Sequence, residues 1–172
     1  MLKIVITGPE STGKSTLAKQ LAAHFNAQLV DEFARTYLTN LGRAYTQSDL
    51  LIIAKGQIKA EYKAIADNPT LLICDTSLEV IKIWSEFKYG SCDPFITNGL
   101  SNNLPDLYLL MTPDLPWQPD PLRENPDDRD QIFELYKKEL KISGVPFYKI
   151  WGNEKERFKM AKEVIEKNSP EI

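Results

Sequence analysis

The chain has 172 residues, of which 42% are hydrophobic and 26% are charged, a composition typical of a folded globular protein and a length suited to one domain. Its 21 Lys and Arg against 24 Asp and Glu give a formal charge of −3, so it lacks the basic field that holds a nucleic-acid backbone. Two cysteines are too few for a disulfide framework, and no apolar run approaches the roughly 18 residues of a membrane span.

We therefore predict a single cytoplasmic domain over residues 1–172 that has no nucleic-acid or membrane partner; the sequence carries no signal for an oligomeric state. Five short apolar runs rich in branched residues are predicted to be strands, and a helical pattern or a loop follows each. This alternation is typical of a parallel α/β sheet. The predicted strands are residues 2–7, 28–30, 71–75, 107–111 and 147–150.

Helical spacing follows the first three strands. The helix after the first strand begins inside a glycine-containing loop, and the next begins at a capping box formed by Thr46 and Asp49. Ser77 is expected to cap a third helix that ends at Gly90, and residues 98–99 lie in a polar stretch without helical spacing. The inward face of the second helix is predicted from one stripe: Leu51, Ala54, Ile58, Tyr62 and Ile65.

Residues 113–129 differ in kind from the rest of the chain, because they hold five prolines, Trp117, Arg123 and Arg129 without any periodicity. A stretch of this composition after a strand predicts a long functional loop, and we expect a lid over about residues 112–129. A further helix and the last strand follow. The final helix is predicted to be capped by Asn153 and Glu156.

The strongest motif is the pattern Gly-x-x-x-x-Gly-Lys-Ser at residues 8–15, which lies between the first strand and its helix, as a phosphate-binding loop requires. Its glycines let successive backbone N–H groups face a phosphate, Lys14 reaches the β- and γ-phosphates, and the Ser15 hydroxyl is placed to ligate Mg²⁺. We expect ATP as the nucleotide, and the sequence leaves the preference between ATP and GTP open. The expected nucleotide-binding residues are Gly8, Glu10, Ser11, Thr12, Gly13, Lys14, Ser15 and Thr16.

Acidic residues follow the second and third strands, at the edge of the sheet where open α/β folds bind ligands. Asp31 and Glu32 are candidates for the base that accepts a proton from an attacking hydroxyl, and we favour Asp31. Asp75 ends an apolar run, as a Walker B aspartate does, which favours a Mg²⁺ ligand over a substrate contact. A helix cap is the alternative for Asp75, although Ser77 is already placed for that role.

Arg123 and Arg129 supply planar cations suited to the charge that develops on a transferring phosphoryl group. Together in the proline-rich loop they predict a kinase lid with two catalytic arginines. Two observations disfavour a GTPase: no glycine of a switch motif follows Asp75, and no Asn-Lys-x-Asp base reader occurs, since Asn153 precedes Glu154. The sequence thus predicts a phosphotransferase with a P-loop NTPase fold.

Several segments in combination resemble the ribosylnicotinamide kinase domain of NadR-type proteins, and the resemblance covers essentially the whole chain. The segments are residues 8–16, residues 31–38, Asp75-Thr76, residues 106–110, and Pro116-Trp117 with Asp120, Arg123 and Arg129 beyond it. This resemblance implies ATP- and Mg²⁺-dependent phosphorylation of the 5′-hydroxyl of nicotinamide riboside to nicotinamide mononucleotide, a salvage step toward NAD.

The resemblance also implies that Asp31, Glu32, Arg35, Asp75 and Asp120 contact the substrate. Two other functions stay open: a kinase for another nucleoside or small alcohol, and a regulatory protein that binds nucleotide without turnover.

Trp117 is a further candidate for substrate contact, because an indole face attracts a flat cation such as the pyridinium ring of nicotinamide riboside. It lies between prolines in a loop, where an exposed tryptophan requires a reason. The alternative is that Trp117 only anchors the lid on the edge of the sheet.

Overall fold

The computed structural model describes residues 1–169, in which five strands alternate with seven helices, so all five predicted strands are confirmed. The strands are β1 (Leu2–Thr7), β2 (Gln28–Val30), β3 (Leu71–Asp75), β4 (Leu107–Met111) and β5 (Phe147–Ile150). The helices are α1 (Lys14–Phe25), α2 (Phe33–Asn40), α3 (Gln47–Ala66), α4 (Leu78–Tyr89), α5 (Pro94–Asn102), α6 (Arg129–Ser143) and α7 (Glu154–Asn168). None of these helices is long and apolar enough to span a bilayer.

The strands form one parallel sheet in the order β2-β3-β1-β4-β5, which places the first strand at the centre. In β1, Leu2 pairs with Leu71 of β3, and Ile4 pairs with Leu107 of β4. Because parallel strands end at the same edge, the loops after β1, β2 and β3 converge there. The predicted five-stranded P-loop NTPase fold is confirmed.

Helices cover both faces of the sheet, and alternating side chains of β1 show how. Ile4 and Ile6 pack on one side with residues of α1 and α7, whereas Val5 packs on the other with residues of α3, α4 and α6. Strands buried on both faces have continuous apolar runs, which is why the sequence located them so well. The result is a three-layer α/β/α arrangement.

Two helices were absent from the sequence prediction. The α2 helix begins directly after the acidic pair at the end of β2, and α5 replaces the expected polar stretch at residues 98–99. Both are short and pack with α3 and α4 in a small cluster beside the sheet. Phe33 lies so close to Gly56 of α3 that a Cβ at Gly56 would come within 2.1 Å of the ring. Glycine therefore lets α2 dock against α3.

The predicted inward stripe of α3 was correct only in part: Ala54 is fully buried, and Leu51, Ile58 and Ile65 are partly buried against the core. Tyr62, which was expected inside, is 55% exposed, whereas Leu50 and Ile53 are fully buried. The true inner face also carries Gln57 and Glu61, which are 2% and 3% exposed. Polar residues in this face broke the apolar periodicity from which the stripe was predicted.

Glu61 is buried because it is fully paired. Lys3 of β1 donates a hydrogen bond from Nζ to Glu61 Oε2 at 2.6 Å, and the Ser77 hydroxyl donates to Glu61 Oε1 at 2.7 Å. Ser77 does occupy the position that precedes α4, but its side chain makes no capping hydrogen bond. The expected cap is therefore wrong in its chemistry: the hydroxyl satisfies a buried carboxylate instead.

Other predicted helix ends are confirmed. Thr46 and Asp49 form a capping box at the start of α3, and Asn153 and Glu156 form one at the start of α7. Gly90 ends α4 with a φ of 70°, a left-handed conformation that glycine adopts without steric cost.

Candidate functional site

The phosphate loop (residues 8–15) leaves the central strand and leads into α1. Gly8 has a φ of 133°, and a Cβ there would lie 2.6 Å from the carbonyl oxygen of Met111 in the adjacent strand β4. Gly13 has a φ of 78° and directly precedes α1. Both positions require glycine, and the resulting curl presents backbone N–H groups in front of the helix N-terminus, where anions bind.

Lys14 curls back over this loop. Its Nζ donates hydrogen bonds to the carbonyl oxygens of Gly8 at 2.9 Å and Pro9 at 2.7 Å. Burial lowers the pKa of Lys14 below its ordinary value, while the nearby carboxylates of Glu32 and Asp75 oppose that shift. The ammonium group therefore stands inside the loop and faces two acids, which is the position that a phosphate-binding lysine needs.

Thr12 supports the loop from within. It is 1% exposed, and its hydroxyl donates to the carbonyl oxygen of Pro9 at 2.9 Å. The buried Arg157 of α7, which no sequence pattern indicated, donates to the carbonyl oxygen of Thr12 at 2.9 Å and also bonds to Gly152 and Asp114. An arginine in an otherwise ordinary amphipathic helix gives no local sequence signal of a buried role. Only the fold shows that Arg157 supports the phosphate loop.

Asp75 and Ser15 meet at the end of β3. Asp75 is 3% exposed, and its Oδ1 has no hydrogen-bonding partner in the described part of the chain. Burial raises the pKa of Asp75, and the nearby Ser15 hydroxyl counteracts part of that rise. A buried carboxylate with an unpartnered oxygen, near a hydroxyl, matches the oxygen donors that Mg²⁺ takes from a P-loop protein, with nucleotide phosphates and water completing its shell.

The structure separates the two acids that follow β2. Glu32 lines the cavity next to the phosphate loop, whereas Asp31 is exposed and lines only a second groove between β2 and α3, which Glu32 also borders. Consecutive residues of an extended chain point to opposite sides, so only one of the two can face Lys14. Burial raises the pKa of Glu32, and the charge of Lys14 counteracts that rise. The geometry thus favours Glu32 over Asp31 as the candidate base.

Arg35 and Asp120 form an ion pair across the cavity mouth, with Arg35 Nη2 at 3.0 Å from Asp120 Oδ2. Arg35 of α2 lines the cavity, and Asp120 belongs to the proline-rich segment (residues 112–129), which has no helix or strand before α6 begins at Arg129. The predicted loop is thus present in the structure, and one of its acids is tied to α2.

The two arginines of this segment have different surroundings. Arg123 lines the cavity, and its Nη1 lies 3.4 Å from the Ser11 hydroxyl oxygen. Arg129 donates from Nη1 to the carbonyl oxygen of Leu115 at 2.9 Å, and its guanidinium carbon lies 5.7 Å from the centre of the Trp117 ring. Neither Arg129 nor Trp117 lines the cavity. The structure therefore brings Arg123 to the phosphate loop and pairs Trp117 with Arg129.

The cavity itself measures about 380 Å³ and extends from the phosphate loop to an apolar wall that the sequence analysis missed. One face of α4 forms this wall, with spacing i, i+3, i+4, i+7. The α4 wall consists of Val80, Ile83, Trp84 and Phe87. A second apolar stripe of α4, which includes Leu78 and Ile81, packs into the cluster beside the sheet. A helix with two apolar faces is expected to be covered on both of them. The second apolar face of α4 was therefore the feature of the sequence from which this wall could have been predicted.

Comparison with known proteins agrees with this geometry. The sequence profile of the AAA domain family matches residues 3–157. The chain belongs to that family. Because the family's match contains the phosphate loop, Glu32, Asp75 and the α4 wall, the whole cavity lies inside the family domain.

The predicted resemblance to NadR-type proteins is also confirmed. The trifunctional NAD biosynthesis/regulator protein NadR of Escherichia coli K12 is 28% identical over 153 residues, which are 86% of this chain and 37% of NadR. This chain thus spans little more than a third of the length of that relative.

Solved structures show the same fold. A NadR protein in complex with NAD and AMP-PNP superposes with a TM-score of 0.83 at 19% identity, over 96% of this chain and 49% of NadR. A NadR complex with NR gives 0.81 at 18% identity, over 96% and 50% of the two chains. Deoxyadenosine kinase from M. mycoides superposes with a TM-score of 0.69 at 15% identity, over 96% of this chain and 100% of the kinase.

Proposed function

We propose that this protein is an ATP- and Mg²⁺-dependent nucleoside kinase whose leading acceptor is nicotinamide riboside. The observation that carries the proposal is one continuous cavity that is lined by the phosphate loop, by Glu32 and by the α4 wall. The phosphate loop suits a phosphoryl donor, the α4 wall suits the flat ring of an acceptor, and Glu32 supplies a candidate base in the same cavity. The NadR relatives, of which one structure was determined with NR, support this choice of acceptor.

In the proposed reaction the 5′-hydroxyl oxygen of the nucleoside attacks the γ-phosphorus of ATP. The bond between that phosphorus and the bridging β–γ oxygen breaks, ADP leaves, and the hydroxyl proton passes to Glu32. The raised pKa of Glu32 makes it a stronger base than an ordinary glutamate. Lys14 and Arg123 face the charge that develops on the transferring group.

Ser15 and Asp75 are the proposed protein ligands of Mg²⁺, because Asp75 Oδ1 has no partner in the described part of the chain and the nearby Ser15 hydroxyl acts on the pKa of the same carboxyl group. When bound there, the ion would neutralise charge on the β- and γ-phosphates. We propose the metal-ligand role for Asp75 and not an acceptor contact, because Asp75 is not among the residues that line the cavity, whereas Ser15 is.

The acceptor ring is proposed to lie against Trp84 and Phe87. The side-chain nitrogen of Trp84 donates to the Tyr45 hydroxyl at 2.8 Å, which fixes the indole in place. A pyridinium ring carries a positive charge that an indole face attracts. We assign this contact to Trp84 and give Trp117 the anchoring role, since Arg129 already lies near the Trp117 ring.

The decisive experiment measures ADP release from the purified protein over a panel of nucleosides, with Lys14→Ala as the inactive control. Turnover with nicotinamide riboside, and a product with the mass of the mononucleotide, are expected. Turnover with a different nucleoside alone would assign the protein to another substrate. Nucleotide binding without turnover on any member of the panel would instead indicate a regulatory protein.

A further inference from the structure

The phosphate loop carries a glutamate, and this charge requires an explanation. Glu10 lies in a loop that binds anions, where a carboxylate repels the phosphates that the loop must hold. Within residues 1–169, Glu10 forms no ion pair that would cancel its charge. Instead, its Oε2 accepts hydrogen bonds from the backbone N–H groups of Glu124 at 3.0 Å and Asn125 at 3.1 Å.

The next residue of the loop makes contacts of the same kind. Ser11 Oγ accepts a hydrogen bond from the backbone N–H of Gln118 at 2.9 Å and lies 3.4 Å from Arg123 Nη1. Ser11 has a φ of 56°, a conformation that a non-glycine residue adopts only at a cost, and this backbone conformation accompanies the contacts of its hydroxyl with the segment. Two adjacent side chains thus hold the proline-rich segment on both sides of Arg123.

We propose that Glu10 and Ser11 are positioning residues that latch the proline-rich segment and so hold Arg123 over the transferring phosphoryl group. The proposal rests on the kinase function above and adds to it. The phosphate loop then acts in two ways, because its backbone binds phosphate while the two side chains fix the arginine that faces the same phosphate. Backbone N–H groups are the donors to Glu10, so the latch depends on the fold of the segment and not on its side chains there.

The opposite side of the segment is tied to the acceptor half of the cavity. The Glu124 carboxylate bonds to Lys88 of α4 at 2.9 Å and to the Tyr45 hydroxyl, which in turn accepts a hydrogen bond from Trp84. The segment therefore bridges the phosphate loop and the α4 wall. The latch at Glu10 fixes this bridge at its nucleotide end.

The first test compares Glu10→Ala, Glu10→Gln and Arg123→Ala in steady-state kinetics. Glu10→Ala is expected to lower kcat about tenfold or more, the scale of lost hydrogen bonds to a charged group. Its KM for ATP is expected to stay level or fall, because a negative charge leaves the loop. Glu10→Gln keeps an acceptor oxygen and is expected to lose clearly less than Glu10→Ala. A rise in KM at constant kcat would show a phosphate-binding role and overturn the latch.

The double variant Glu10→Ala/Arg123→Ala separates positioning from independent effects. If Glu10 acts through Arg123, kcat of the double variant is expected to be within about twofold of kcat of Arg123→Ala alone, because the effects of substitutions at two residues that act together do not add. Losses that multiply would overturn the proposal.

A second test needs no turnover and so stands even if the proposed function fails. Limited trypsin digestion, followed by mass spectrometry of the cut after Arg123, is expected to be several-fold faster in Glu10→Ala than in wild type. The matched control is Asp127→Ala, which removes an exposed acid of the same segment and is expected to leave the rate of this cut unchanged. Equal cleavage of wild type and Glu10→Ala would overturn the latch.

Discussion

Glu32 and Asp31 are neighbours in sequence, yet only Glu32 faces Lys14. We expect Glu32→Gln to lower kcat by about a hundredfold or more, the usual contribution of a positioned base, with little change in the affinity for ATP. Asp31→Asn is the matched control and is expected to stay within about twofold of wild type. ADP release and nucleotide binding measured on both variants decide the assignment; a larger kcat loss in Asp31→Asn would restore the sequence-based preference.

A substitution of Asp75 is expected to change how the rate depends on the Mg²⁺ concentration. Asp75→Asn removes the charge that the bound cation would meet, so the Mg²⁺ concentration for half-maximal rate is expected to rise several-fold or more. Titration of Mg²⁺ against rate in wild type, Asp75→Asn and Glu32→Gln measures this. Excess Mg²⁺ should restore part of the rate of Asp75→Asn and none of the rate of Glu32→Gln; the reverse pattern would exchange their roles.

At the scale of elements, α4 lines the cavity and is the helix that we propose contacts the acceptor. Trp84→Ala is expected to weaken binding of nicotinamide riboside by roughly several-fold to tenfold or more, because a cation–π contact contributes about 0.5–2 kcal/mol. An uncharged nucleoside of similar size should lose less. Measured kcat/KM for both substrates tests this.

Trp117→Ala is the comparison for that experiment. If Trp117 only anchors the proline-rich segment through Arg129, its loss should affect the charged and uncharged nucleosides equally. If kcat/KM for the charged substrate falls selectively in Trp117→Ala and not in Trp84→Ala, the contact with the pyridinium ring would be assigned to Trp117, as the sequence indicated.

The elements also show where prediction from sequence succeeded. The strands and the phosphate loop were predicted correctly because their signals are local: continuous apolar runs in the first case, glycines at fixed spacing in the second. The α2 helix escaped because it has eight residues and one buried side chain, Ala34, which leaves no periodicity to detect. Gln57 and Glu61 misled the prediction for α3, since their burial depends on partners distant in sequence.

The residues of the candidate site also divide into those that a local sequence pattern predicts and those that only the fold brings together. Lys14 and Ser15 are fixed by the motif, whereas the choice between Asp31 and Glu32 depends on which way an extended chain turns after β2. Arg157 and the α4 wall reach the cavity from elements that only the fold brings near it. Residues contributed by such elements carry no common spacing in the sequence, so a pattern search does not connect them.

For the molecule as a whole, the buried Glu79 makes stability depend on pH. Its side chain is fully buried at the start of α4, and neither carboxylate oxygen has a hydrogen-bonding partner in the part of the chain that the structure describes. Burial raises the pKa of Glu79 from 4.5 to about 7, with Glu61 adding to the rise and Lys3 opposing it. The folded protein therefore holds this proton more tightly than the unfolded chain.

Because the folded pKa is the higher one, the contribution of Glu79 is fully present below about pH 4.5 and is lost as the pH rises through about 7. The loss is on the order of 3 kcal/mol. Urea unfolding from pH 5 to pH 8 should show this decline in wild type and in the control Asp127→Asn. In Glu79→Gln, which cannot ionise, the decline should be smaller, and the variant should be the more stable protein at pH 8; parallel curves for all three would contradict this.

The central position of β1 has a consequence for how the protein acquires its activity during synthesis. During synthesis β1 emerges before both of the strands with which it pairs: Leu2 pairs with Leu71 of β3, and Ile4 pairs with Leu107 of β4. Gly8 lies against Met111, so the loop that holds phosphate is not enclosed until β4 has emerged. A nascent chain that ends before β4 is therefore expected to bind no ATP, and the nucleotide can stabilise this protein only late in translation.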